Sequence, residues 1–475
     1  MTALETEVLV VGSGAGGATT AVTLAEAGRD VMVLEEGPWV APDAVEAFSL
    51  DEMAQKYRHH GSSAALGNPP VAYAEGRCVG GSTEVNSGLW HRVPDELADQ
   101  WRQTYDIDGF DAVTLDRYAT KVEAWQSVSR LPGPAPESSE ILARGAERLG
   151  WRATEFPRVY RYPEGGRAEK QTMTRTLLPR IVEAGGEVVA DSRVRRLLRD
   201  GRRVTGARVV RRRPDGTSET VDVRADHVVV CGGAVHSPAL LQRSGFRRGI
   251  GGGLKMHPTL KVVARFPDDV DHDDVPMHRI TEFSPDIAIG GSASRRGHIG
   301  LSLSDSGADV GRALVGWEKM FVYYAAIRSD AGGRVIAVPG APTPLVAYRL
   351  TDADISRLAR GLISLGRALF EAGATELYPS VRGGSIARHP RDLIRWWDEI
   401  DRSTANLMTV HLTSSIRMGE SRERAGADSY GRVHGAENLR VNDASLVPDA
   451  PGVNPQAAIM TIAARNADHF LSELV

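Results

Sequence analysis

The chain has 475 residues, of which 42% are apolar and 25% charged, with a formal net charge of −4. That length exceeds one ordinary core and predicts two or three domains, and the slightly acidic balance argues against a nucleic-acid partner. The only cysteines, Cys78 and Cys231, are too few for a disulfide framework and suit a reducing compartment, so a cytoplasmic location is expected.

The N-terminus, MTALETEV, is acidic and enters a strand without a basic or apolar leader, so no export signal is expected. The uncharged run from 8 to 25 is interrupted by glycines and threonines, which marks a strand, a turn and a helix and not a bilayer span. Val8 to Val11 reads as a buried strand. Gly12, Gly14 and Gly17 then form G-x-G-x-x-G as that strand turns into a helix over residues 16 to 27. The first glycine permits the tight turn, the second lets backbone approach a pyrophosphate, and the third allows close packing of helix on strand. A second strand, Val31 to Leu34, ends in Glu35, about twenty residues on, where a carboxylate reaches a ribose hydroxyl. These features predict a dinucleotide site, with the phosphates at the helix N-terminus.

Residues 38 to 68 are read as loop and helical excursion near the cofactor mouth. The segment GRCVGGSTEVNSGLWHR, 76 to 92, lacks helical or strand periodicity, and its small residues suit a backbone laid against a ligand. Helices are expected between 94 and 162, and another over about 173 to 184. Strands are expected from 186 to 230, with turns at RDGR and RPDG and a closing strand His227 to Val230. The arginines between Arg193 and Arg213 are read as a solvated sheet face. CGGAVHSPALLQRSGF, 231 to 246, is a second strand-to-helix turn able to face the same cofactor. Residues 257 to 350 are strand-like. Their acidic run PDDVDHDD, 267 to 274, is a solvated loop or an attractor for a cationic substrate. Residues 351 to 373 have the spacing of an amphipathic helix, and LIRWWDEI is a further helical piece. His236, His257 and His434 are read as structural, and no metal-ligand spacing is found. Trp90, Trp317, Tyr323, Tyr324, Trp396 and Trp397 are the aromatic residues able to stack on a sugar ring, although core packing is their commoner fate.

Several spaced segments together resemble the glucose-methanol-choline (GMC) family of FAD-dependent oxidoreductases. They are the glycine turn with Glu35, GGSTEVNSG at 80 to 88, GAVHSPALLQRSG at 233 to 245, LKMHP at 254 to 258, and NLRVNDASLVPDAPGVNPQAAIMTIAARNAD at 438 to 468. A nicotinamide-dependent dehydrogenase would explain residues 8 to 37 but leave the later motifs without a purpose. The resemblance implies an α/β fold, with a Rossmann-like FAD-binding domain and a discontinuous sheet-based substrate domain. The FAD domain would comprise 1–40, 75–92, 180–260 and 405–475, and the substrate domain and lid elements 41–74, 93–179 and 261–404. It implies FAD contacts at Gly12, Gly14, Ala15, Gly17, Glu35, Glu36, Gly80, Gly81, Ser82, Asn86, Ser87, Val194, Gly232, Asp443, Ala444, Asn454 and Pro455. Members with covalent FAD carry a histidine where Val85 aligns, so noncovalent FAD is expected; His91 lies outside that register.

HLTSSIRMG, 411 to 419, resembles the family's H-x-x-G-T-x-x-M-G, with Ser414 and Ser415 in place of Gly and Thr, and puts His411 at the catalytic histidine. Asn454 in GVNPQ falls on the second catalytic position. It suits the cap of the final helix, and Pro455 its first turn. The implied chemistry is oxidation of an alcohol to a carbonyl by hydride transfer to flavin N5, with His411 as base and Asn454 orienting the substrate oxygen. A sugar, glycoside or aminoglycoside hydroxyl is the first expectation for the substrate, and a hydrophobic or sterol-like alcohol, or a lyase with non-redox FAD, the alternative. The electron acceptor is oxygen or another carrier. Neither a membrane nor a metal is expected to take part.

Overall fold

The structure, a computed structural model, describes residues 4–474. Its first strand, Leu4–Val11, buries both faces from Val8 onward, as befits the middle of a parallel sheet covered on both sides. It pairs in parallel with Val31–Leu34 on one edge and with Ser218–Val230 on the other. Val31–Leu34 in turn pairs with Glu187–Val189, and the end of Ser218–Val230 pairs with Leu439–Val441. The antiparallel ribbon Ser192–Asp200 and Arg203–Arg212 completes this seven-stranded sheet.

The predicted closing strand is therefore longer than His227 to Val230, because its polar first half is held by the ribbon and not by burial. The ribbon's arginines form the predicted solvated face, with Arg208 paired to Asp222 at 2.7 Å, but Arg193 is an exception and turns toward the cavity described below. The first helix, Ala15–Glu26, is mostly Ala, Gly and Thr. Its small side chains let the final helix, Gln456–Glu473, pack close, with Ala18, Ala21 and Val22 in one cluster with Ala457, Met460 and Ala464.

A nine-stranded, largely antiparallel sheet forms the other half of the molecule, centred on Thr259–Arg265 and Met320–Ile327. The helix Asp352–Glu371 covers it through Ile355, Leu358, Leu362, Leu365 and Leu369, as the amphipathic spacing predicts. Thr351 and Asp354 close a capping box at its N-terminus. Two helices, Arg296–Asp305 and the single turn Val310–Ala313, fall where only strands are expected; the longer is Arg296–Asp305. Its sequence RGHIGLSLSD has two glycines and no apolar period, and Ile299 and Leu303, one turn apart, bury it against Val263, Met320 and Val322. The helix expected over 173 to 184 is shorter, Leu177–Glu183. No helix among the described residues is long and apolar enough to cross a membrane.

Removing the capping hydroxyl isolates a local contribution to stability. Thr351→Ala is expected to cost about 1 kcal/mol in denaturant unfolding, with an unchanged m value.

Candidate active site

Four loops converge on one cavity of about 560 Å³. The first follows the strand Leu4–Val11. Gly12 sits at φ 106°, the left-handed side that favours glycine, and a Cβ on Gly17 would run into the Gly12 carbonyl, so that helix and turn meet only because Gly17 has no side chain. Glu35, at the end of the next strand, accepts from Ser13 N at 3.1 Å, from Ser13 Oγ at 2.8 Å and from Gly37 N at 3.0 Å. Ser13 Oγ in turn accepts from Gly80 N at 2.9 Å, which ties the first glycine turn to the second loop. Burial raises the Glu35 carboxyl above its usual range.

The second loop carries Gly81, Ser82, Val85, Asn86 and Ser87 along the cavity wall. Lys170 holds it from behind by donating to the Glu84 and Asn86 carbonyls at 2.8 Å each. Asn86 donates to Gln456 at 2.6 Å, so this loop also reaches the start of the final helix. The third loop is Cys231 to Ala234, and the fourth runs from Asp443 to Pro455. Asp443 clasps these two together by accepting from Gly233 N at 2.7 Å, Ser445 N at 2.8 Å and the hydroxyls of Ser237 and Ser445.

Most predicted cofactor residues do line this cavity: Gly12, Gly14, Ala15, Glu35, Glu36, Gly81, Ser82, Asn86, Ser87, Val194, Gly232, Asp443, Ala444, Asn454 and Pro455. Gly17 and Gly80 do not. Gly17 packs behind the turn, and Gly80 spends its N–H on Ser13. Glu36 bonds Arg58 at 2.6 Å and Arg77 at 3.0 Å and lies 3.6 Å from Arg193. Burial alone would raise its carboxyl, but Arg58, His236 and Arg193 outweigh that and hold it down at about 2. Arg58 also reaches Glu75 at 2.9 Å, and Glu75 reaches His236 at 2.7 Å, so His236, read from sequence as structural, is part of the cavity wall.

At the opposite end are the histidines. His411 sits between the short strands Leu407–Thr409 and Leu412–Thr413 and lines the cavity. The Ser414 that replaces glycine takes φ 72°, a left-handed conformation the serine adopts under strain. His257, read from sequence as structural, lies with its Nδ1 3.0 Å from Nδ1 of His411, the rings near perpendicular at 89°. Gly452 N donates to His257 Nε2 at 3.2 Å. A neutral His257 therefore carries its proton on Nδ1 and donates it to His411, which leaves the His411 proton on Nε2. Burial, then His257, then Arg279 drive the His411 pKa well below its ordinary value, and burial with Arg279 and Arg328 holds His257 at about 3. Both rings are neutral near pH 7.

Asn454 departs from its expected capping role. The residue at the N-cap of the final helix is Pro455, no side chain caps it, and Asn454 Oδ1 is buried without a partner at the cavity wall. His91 is buried against Phe156, ring centroids 4.0 Å apart, and stays outside the cavity. The stacking residues fare poorly: Trp90, Tyr323 and Trp396 are sealed in the core, Trp90 donating to Glu123 at 2.8 Å, and Trp397 is exposed away from the cavity. Of the six, only Tyr324 lines it. The acidic run also faces elsewhere, with Asp274 held by Arg158 at 2.6 Å. Arg279, Lys261 and His298 also line the cavity and are not singled out from sequence, where none belongs to a motif and each falls in a stretch read as strand-like.

The geometry fits a dinucleotide. No side chain caps the helix Ala15–Glu26, whose first-turn N–H groups are left for an anion, and a Cβ on Gly14 would meet only Gly81, so that both backbones are bare toward the cavity. Fold and site together define a flavoenzyme, an FAD-dependent oxidoreductase acting on CH–OH groups. Residues 6–259 and 334–463 match the two family models described as GMC oxidoreductase, and the chain belongs to that family. A GMC-type oxidoreductase of Sinorhizobium fredii is 40% identical over 99% of this chain and 95% of its own. The 5-(hydroxymethyl)furfural oxidase of Methylovorus sp. is 25% identical over 85% of this chain and 84% of its own, and the long-chain-alcohol oxidase FAO1 of Arabidopsis thaliana 25% over 97% and 66%. Among solved structures, pyridoxine 4-oxidase from Mesorbium loti aligns with a TM-score of 0.76 over 98% of this chain and 99% of that one, at 18% identity, which shows the shared fold.

The depressed histidines link stability to pH. Unfolded histidine takes up its proton near about 6.5, whereas folded His257 stays neutral until about 3, so below 6.5 the unfolded chain binds more protons and the folded state loses stability. His257→Leu is expected to flatten this acid dependence by up to ~1.4 kcal/mol per pH unit. Thermal melts between about pH 7 and about pH 5 check this, and an unchanged slope would mean that His257 titrates normally.

Proposed function

We propose that the enzyme oxidises an alcohol to a carbonyl with His411 and Asn454 acting on the substrate oxygen, and that its FAD is held noncovalently. The observation that carries the reading is the pairing, at one end of a single cavity, of a neutral His411 oriented by His257 with an Asn454 amide whose oxygen has no protein partner. FAD, when bound, supplies the hydride acceptor. Gly14, Ala15 and the glycines of the second and third loops would hold its phosphates, and Glu35 and Glu36 line the end suited to its ribose and adenine.

The chain's own part is to bind the alcohol, fix its oxygen and move one proton. In the resting tautomer His411 Nε2–H donates to that oxygen. In the other tautomer His411 donates from Nδ1 to His257, its Nε2 lone pair is free, and the hydroxyl proton passes to it. That exchange gives up the Gly452 contact, a cost of about 1–3 kcal/mol. Asn454 orients the same oxygen through its amide.

The substrate end is walled by Val275, Val322, Tyr324, Ala326 and Ile327, which favours a compact, largely apolar alcohol. The burial of Trp90, Tyr323 and Trp396 removes most of the support for a sugar. Oxidase relatives make oxygen the proposed acceptor. The division into FAD segments 1–40, 75–92, 180–260 and 405–475 and substrate segments 41–74, 93–179 and 261–404 is proposed on the partition of most strands between the two large sheets, although Leu407–Thr409, inside the last FAD segment, joins the nine-stranded sheet. The free, buried state of Cys78 and Cys231 supports a reducing, cytoplasmic setting.

Anaerobic mixing of the yellow protein with a panel of primary alcohols tests the reading. Bleaching of the flavin band is expected, with recovery in air, and His411→Ala is expected to slow bleaching by about a hundredfold or more while the protein stays yellow. Bleaching at an unchanged rate in that variant would remove His411 from the mechanism, and no bleaching by any alcohol would favour a lyase. Acid precipitation is expected to release all of the FAD into the supernatant; flavin that stayed with the pellet would overturn noncovalent binding.

A further inference from the structure

The substrate end holds a cation that the protein does not pay for. Of the five buried arginines, Arg58 is paired with Glu36 and Glu75, Arg158 with Asp274, Arg440 with Glu473, and Arg465 donates to the Gly109 and Ser429 carbonyls. Arg279, on the strand His278–Ile280, is only 5% exposed and lines the cavity. Among the described residues its guanidinium forms no ion pair and donates no hydrogen bond, and its Nε is buried without a partner. Its carbon lies 5.5 Å from the centre of the Tyr324 ring, and its charge acts on the buried rings of His411, His257 and His91, none of which is an anion.

None of the carboxylates on the cavity wall is free to serve it. Glu35 is taken by Ser13 and Gly37, Glu36 by arginines, Glu75 by Arg58 and His236, and Asp443 by Gly233, Ser237 and Ser445. Lys261, the other cation at this end, is neutralised by Asp305 at 3.5 Å. An unpaired guanidinium out of water is costly, and the cost is recovered only when an anion arrives.

We infer that Arg279 is the anchor for an anionic group, most simply a carboxylate, carried by the alcohol that this site oxidises. The inference rests on the alcohol-oxidising reading above and narrows its substrate class to hydroxy acids with an apolar spacer. A planar carboxylate matches the two N–H edges of a guanidinium in bidentate fashion, which fixes direction as well as position. The apolar residues Val322, Ala326 and Ile327 would contact the spacer, and the hydroxyl end would face His411 and Asn454. A carboxylate on Arg279 also cancels the positive field it exerts on His411, so the imidazole becomes a better proton acceptor when such a substrate is bound.

The test uses the FAD-loaded enzyme and two matched pairs, 4-(hydroxymethyl)benzoate against 4-methylbenzyl alcohol and 6-hydroxyhexanoate against 1-hexanol. In at least one pair the acid is expected to bleach the flavin with a kcat/KM roughly tenfold or more above its neutral partner. Binding of 4-methylbenzoate, read from perturbation of the flavin spectrum, is expected to weaken about tenfold or more in Arg279→Gln and to recover in part in Arg279→Lys. Neutral alcohols that equal or exceed the acids in both pairs would overturn the inference, as would unchanged 4-methylbenzoate affinity in Arg279→Gln. A change in the flavin spectrum of the free variant with the acid preference intact would assign Arg279 to the cofactor and overturn it as well. If no alcohol of either kind bleaches the flavin, the oxidation reading fails, while the 4-methylbenzoate measurement still decides whether Arg279 binds anions.

Discussion

The path from Glu35 through Ser13 to Gly80 holds together two glycine loops that the chain visits far apart. Both loops consist of small residues with little side-chain packing of their own, so their placement depends on hydrogen bonds to buried groups. Glu35 supplies these from the end of a buried strand held between two parallel neighbours, Leu4–Val11 and Glu187–Val189. Asp443 does the same for the third and fourth loops, joining Gly233 and Ser237 to Ser445. In both cases a buried carboxylate is tolerated because several N–H and O–H groups converge on it. The cavity is the space left between loops pinned in this way.

Its two ends solve opposite electrostatic problems. At one end Glu36, Glu75, Arg58 and His236 form a network in which each charge has a partner. The other end keeps its histidines neutral by burial and mutual proximity and carries the uncompensated charge of Arg279. A neutral imidazole pair is what proton transfer from an alcohol requires near neutral pH, and a nearby fixed cation keeps it neutral. In the proposed reading, specificity and catalysis would be coupled through one field, because an anion that neutralises Arg279 would raise the basicity of His411.

Much of this was legible in the chain. The apolar strands Val8 to Val11 and Val31 to Leu34, the glycine spacing and the terminal Glu35 depend on neighbours within a few dozen residues, and backbone geometry leaves few ways to combine them. The helix Asp352–Glu371 was readable for the same reason, since its apolar residues recur every turn. The helix Arg296–Asp305 was not, because its glycines and serines hide any period and its stability comes from the sheet beneath it. Asn454 was singled out only through its motif, and the fold places it on the cavity wall. Its role as a cap was wrong because the following proline, not the asparagine, occupies that position in the folded helix.

By itself the sequence determined the dinucleotide turn and the family and put forward His411 and Asn454 as the proposed catalytic pair, since these rest on residue types at short, fixed spacing. Only the tertiary structure decided which aromatic residues were core, that His257 contacts His411, and that among the described residues Arg279 alone of the buried arginines has no ion-pair or hydrogen-bond partner. The physical reason is that a charge or a tautomer is set by what lies within hydrogen-bond distance. For these residues the neighbours come from strands and loops that are distant in the chain and meet only in the folded protein.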